Sequence, residues 1–327
     1  MKWKANWDES RQRFCDWWER KGLLVGMWWP PSGSVCHDPH ATPVEEAQEE
    51  VYKNPILRAR QNHWALAHQA FPLDILPLSV TDLGPGSLAL CLGSEPGFAP
   101  HTIWFTAPFE HVKEPESLPA FAFDPENRWF RLHAETARAS RDLAGENYLV
   151  AIPDLVENVD VLASLREPQR LLVDMIERPE WVKKSLVEIT DAWFDVYGRL
   201  YDIVRDSEGG SAFGAFRVWG PGKAAKLQCD ASVMFSPDMF REFVVPELTR
   251  QCEWLDQSIY HLDGTQAIMH LDALLEIKAL DAIEWTSQAG VEHGAHERWF
   301  PMFKKILNAG KSIQVIAYDP SSGKDLL

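Results

Sequence analysis

The chain has 327 residues, 46% apolar and 24% charged, a balance that lets burial offset ordering entropy and excludes disorder as the main reading. Its formal charge of −16 repels phosphate backbones and anionic lipid, so neither nucleic-acid nor membrane-surface binding is expected. Five scattered cysteines (Cys15, Cys36, Cys91, Cys229, Cys252) form no CxxC pair, and no window approaches a spanning helix, so a reduced, cytoplasmic protein is expected.

The polar N-terminal segment to about Arg20 reads as a helix without the apolar core of a signal peptide. Leu23–Trp29 is an apolar run stopped by Pro30 and Pro31, hence a strand and a loop. Thr42–Phe71 is helical in pattern and interrupted at Pro55, and Leu73–Val80 reads as a strand. Residues 84–130, rich in Gly and Pro, resemble a hairpin-bearing insertion. A helix over Trp129–Ala144, a strand over Tyr148–Asp154 and a helical pattern over Asn158–Met175 follow. Pro179 opens a long helix with Trp181, Ile189, Trp193, Val196, Leu200 and Val204 on one stripe.

Phe216–Trp219 and Leu227–Asp230 are strand-like. Ser236, Pro237 and Asp238 form a helix start, with Ser as cap and Pro first, and Pro246 should kink that helix. Strands over Ser258–Gly264, Asp281–Trp285 and Ser312–Tyr318 alternate with helices near Ile268–Ile277 and Trp299–Asn308. Ser321–Leu327 reads as the first turn of a helix. Strand–helix alternation with short links predicts a parallel sheet, and eight such units favour an α/β TIM (β/α)8 barrel as one domain over residues 1–327.

In such a barrel the chemistry sits where strands end. Side chains alternate along a strand, so Ile259, His261 and Asp263 share a direction, and Gly264 lets the backbone turn away. Glu284 and Thr286 share a face in the next unit, as do Asp230 and Ser232 in the preceding one. One imidazole and three carboxylates converging on a mouth have two uses. They can hold a divalent metal, or the carboxylates can raise one another's pKa for acid–base work. His270 and Asp272 read as structural, and His293 and His296 as part of a polar loop.

No Walker loop, GxGxxG after a strand, GxSxG elbow or HExxH is present, against NTPase, Rossmann, serine-hydrolase and zincin readings. Fifteen tryptophans exceed the needs of packing in most folds, and some of them can wall a ligand pocket.

From Leu23 to Tyr318 the chain resembles the uroporphyrinogen decarboxylase superfamily, nearest to its cobalamin-dependent methyltransferase branch. The resemblance rests on Asp230, the run FSPDMFREFVVPEL and the strand YHLDG, and on YLVAIPDL, LLVDMIERPEWV and LLVGMWWPP. It implies a TIM barrel with a cleft at the strand C-termini. Trp28, Trp29, Pro30 and Pro31 stand where decarboxylases carry an Arg-bearing motif, which argues against a polycarboxylated porphyrinogen. His261 matches the zinc-binding His of the methyltransferases, but Asp263 replaces the Cys and no Cys follows Cys252. A His/carboxylate set is a harder Lewis acid, suited to polarising an ether oxygen or a similar methyl-donor group.

The leading expectation is therefore a methyltransferase moving a methyl group from a small methylated substrate to a corrinoid carried by a partner protein. His261, Asp263 and Glu284 would bind a divalent metal, zinc by the resemblance. Trp28, Trp29 and Trp219 would wall the pocket, and Asp230 would orient the substrate. The alternatives are a metal-independent decarboxylase using Asp230 or Asp154, and a non-catalytic barrel that binds a tetrapyrrole or a corrinoid protein. The resemblance is compatible with a monomer or a homodimer.

Overall fold

A computed structural model describes residues 1–26, 35–99, 102–319 and 324–325. The expectations placed on Trp28 and Trp29 lie outside the described residues. In chain order the strands are β1 (Leu78–Ser79), β2 (Pro96–Ala99), β3 (Thr102–Phe105), β4 (Leu149–Val150), β5 (Ser211–Phe213) and β6 (Val218–Gly220). They continue with β7 (Ala224–Leu227), β8 (Gln257–Asp263), β9 (Ala282–Thr286), β10 (Ser312–Val315), β11 (Tyr318–Asp319) and β12 (Lys324–Asp325).

The molecule is mixed α/β with parallel sheets. One sheet has the order β10-β9-β8-β7, every pair parallel, and β1 pairs parallel with β4. A parallel bridge between Ile152 and Phe213 extends the second group to β5. Ser211 at the start of β5 donates its hydroxyl to Gly222 O (2.8 Å) and accepts from Ala224 N–H (2.9 Å), which ties β5 to the foot of β7. Among the described residues the parallel ladders fall into two groups, β1-β4-β5 and β7-β8-β9-β10. Of the expected strand Leu73–Val80 only two residues are strand, and residues 23–26 are irregular. That irregular segment is held instead by Asp74, whose carboxylate accepts from Val25 N–H (3.0 Å).

Amphipathic helices cover the sheets. Over Pro179–Val204, Ile189, Trp193, Val196, Leu200 and Val204 are buried, as the stripe predicts, whereas Trp181 is only partly buried. The helical pattern over residues 158–175 is two helices, Asn158–Arg166 and Pro168–Glu177. They break at Glu167, whose φ of 79° precedes Pro168, a residue that disfavours helix before it. The N-terminal helix Trp7–Trp18 buries Phe14, Trp17 and Trp18 in a cluster with Phe213, Trp219, Ile259 and Ala282. The insertion holds the expected hairpin, β2 antiparallel to β3. Near the C-terminus β11 pairs antiparallel with β12, so residues 324 and 325 are strand where the sequence suggested a helical turn.

Ser236 caps its helix as predicted, accepting from Met239 N–H (3.2 Å). Pro246 acts differently from a simple kink. A proline lacks the N–H for the i→i−4 ladder and clashes with that carbonyl. The chain answers with a π turn over Phe240–Val244 just before it. Among the described residues no helix is long and apolar enough to cross a membrane.

Candidate metal centre

β8 and β9 run in parallel register with His261 opposite Glu284 and Asp263 opposite Thr286. Because side chains alternate, this register puts His261 and Glu284 on one face. His261 Nδ1 is hydrogen-bonded to Glu284 Oε2, and Glu284 Oε1 accepts from the Thr286 hydroxyl (2.7 Å). Glu284 is fully buried, whereas His261 is partly open and Asp263 exposed. Phe216 lies against the imidazole with ring centroids 4.9 Å apart. Nδ1 being engaged, the free ring nitrogen is Nε2.

Asp230 approaches from the end of β7. It opens a short 3-10 turn, Asp230–Met234, and does not continue the strand as the sequence suggested. Potential ligand atoms of Asp230, His261 and Asp263 all lie within 4.8 Å of one another. The structure thus brings three of the four expected site groups together. It places the fourth, Glu284, behind the imidazole, where it fixes the ring instead of reaching the centre itself.

The position of Asp230 is set by residues that the sequence did not single out. Asp160, in the first turn of the helix Asn158–Arg166, accepts from Asp230 N–H (2.7 Å) with one oxygen and from Ala231 N–H (2.9 Å) with the other. Gln228 donates its amide to Asp230 Oδ2 (2.8 Å), and Gln228 N–H is in turn held by the buried Glu157. Lys226, also buried, pairs with Asp154 (3.0 Å) and donates to Gln228 Oε1. Asp154 therefore neutralises an internal lysine. An acid in a helix's first turn is ordinary helix grammar, so Asp160 carries no mark in the sequence. Lys226 is a polar residue at an inward strand position, and that alternation was the one available signal.

Trp219 is placed in the core. Its ring meets Trp7 edge-on at 5.5 Å, and its Nε1 donates to Asp206 (2.9 Å), so it packs against the N-terminal helix and not as a pocket wall.

Charge within the cluster is strongly perturbed. Burial and then the Asp160 carboxylate push Asp230 up to about 6. Burial likewise raises Asp160, and raises Glu157 well above the usual carboxylate range. Burial alone would lower His261, but the hydrogen bond and charge of Glu284 outweigh it and the net shift is upward. Carboxylates crowded at one opening, with a single buried lysine among them, make a site that favours an added cation. Burial raises the Cys229 thiol well above its ordinary value and pushes Cys252 up to about 12, so both stay protonated in the metal-free protein.

No family model matches the chain, and no curated protein matches it in sequence. Among solved structures the chain is similar to a methyltransferase from Methanosarcina mazei, at 14% identity and a TM-score of 0.60, over 93% of this chain and 91% of that one.

Proposed function

We propose that the protein is a metal-assisted methyltransferase built on a (β/α)8 barrel, passing a methyl group from a small methylated substrate to a corrinoid on a partner protein. The observation that carries this reading is the convergence of Asp230, His261 and Asp263 within 4.8 Å, with Glu284 behind the imidazole. One nitrogen and two carboxylates suit a divalent ion such as zinc, and a carboxylate behind a ligating histidine is the usual arrangement for fixing its tautomer and raising its basicity. The likeness in fold to a methyltransferase adds support.

When bound, the metal supplies Lewis acidity at the donor's leaving oxygen or similar atom. The chain's own residues do the rest. His261 presents Nε2 because Glu284 holds Nδ1, Asp160 and Gln228 hold the Asp230 carboxylate, and Phe216 excludes water from one face of the ring.

The test is methyl transfer to reduced cobalamin from a panel of methyl ethers and methylamines, with metal-free, zinc-reloaded and Asp263→Ala protein. Zinc-dependent formation of methylcobalamin, reduced at least 100-fold in Asp263→Ala, is the expected result. Full transfer by Asp263→Ala, or by protein stripped of metal, would contradict the assignment.

A further inference from the structure

We infer that His270 is a positioning residue for Asp230, a strut that holds the turn bearing this carboxylate at the right distance from His261 and Asp263; the inference rests on the metal-centre reading above.

Asp230–Met234 is a 3-10 turn, and on its far side the Ser232 carbonyl accepts a long backbone bond from Phe235 N–H (3.3 Å). Asp160 secures the near side through the amides of Asp230 and Ala231. The far side is met by His270, whose Nε2 lies 2.9 Å from Ser232 O. A carbonyl oxygen only accepts, so Nε2 carries the proton and Nδ1 is left with a lone pair. Nδ1 is buried and has no hydrogen-bond partner. The ring is 1% exposed and stacks on Phe240 at 4.3 Å and 15°, with Phe235 at 6.2 Å.

A phenylalanine would fill this space without leaving a polar atom unsatisfied, and an unsatisfied buried group is costly. What the imidazole adds is a second and shorter N–H bond to Ser232 O, beside that of Phe235. Burial lowers the pKa of His270, which favours the neutral ring. Phe240, the platform beneath it, sits in the π turn that precedes Pro246. His270 itself belongs to the turn Ile268–His270, reached from β8 through Gly264–Ala267. One stretch of chain therefore supplies two ligands and the strut to the third.

The experiment compares wild type, His270→Phe and His270→Gln as full-length protein, metal-free and titrated with Co2+. His270→Phe keeps the stack and removes the donor, and His270→Gln restores a donor. In metal-free His270→Phe, hydrogen-exchange protection of the Asp230 and Ala231 amides should fall at least tenfold, while Tyr260 and Ile283 stay unchanged. Co2+ affinity should drop about tenfold, the usual cost of losing a group that orients a ligand. His270→Gln should recover both. Unchanged protection at Asp230, or a loss spread equally over Tyr260 and Ile283, would overturn the strut. If wild type itself took up no Co2+, the metal-centre reading would fall, and the exchange pattern would still decide for or against His270.

Discussion

Asp230 is exposed at one edge, yet burial of its carboxyl and the neighbouring Asp160 push it up to about 6. Its folded pKa thus lies above the unfolded value of about 3.9, so the metal-free protein binds a proton on folding. This contribution is fully present below about pH 4 and is lost as pH rises through about 6. Side-chain carboxyl NMR on metal-free protein should show one aspartate titrating near pH 6. In Asp160→Asn that titration should move to lower pH but stay above 3.9, because burial remains. A midpoint for Asp230 near 4 in the wild type would contradict the crowded-carboxylate account. At this scale the sequence revealed what strand alternation reveals. His261, Asp263 and Glu284 stand at strand tips and were legible, and the pairing of His261 with Glu284 follows from register, whereas the approach of Asp230 depends on its 3-10 turn. Asp160 and Glu157 were not legible, because the groups they hold lie in another strand–helix unit and only the fold brings them together.

At the scale of elements, local chemistry was a good guide where a cap or a stripe exists. Ser236 caps its helix, and the stripe of Pro179–Val204 is buried. It failed where tertiary packing decides. β5 reads SAF after two glycines and was overlooked, yet Ser211 and Phe213 tie two sheets. The break at Glu167 was also missed, since both helices share one apolar stripe in sequence. That break is stabilised by an internal ion pair: Arg166 on the first helix meets Asp174 on the second at 2.6 Å, with side chains 5% and 2% exposed. Arg166 also donates to Phe109 O, which anchors the insertion to this corner. Removing one partner of such a pair leaves a buried charge uncompensated. Asp174→Ala should lower unfolding free energy by about 3–5 kcal/mol in urea titration. A loss under ~1 kcal/mol would show that the corner does not depend on the pair.

For the whole molecule, alternation of strand and helix correctly predicted parallel sheets covered by helices. The extent of the shortest strands was beyond reach, because two-residue strands such as β1 and β4 leave almost no periodic signal. The N-terminal tryptophans are likewise explained only in three dimensions. Trp18 donates to Trp219 O (2.9 Å) and Trp17 to Ile313 O (3.3 Å), so the helix they sit on packs over the strands. The functional account then depends on the donor set that this scaffold gathers, one imidazole with two carboxylates and no thiolate. X-ray absorption at the zinc edge of reloaded protein tests it directly. The account predicts one equivalent of zinc with a first shell of nitrogen and oxygen at about 2.0–2.2 Å, lost in Asp263→Ala. Sulfur scatterers at about 2.3 Å, or zinc that binds unchanged after Asp263→Ala, would contradict it.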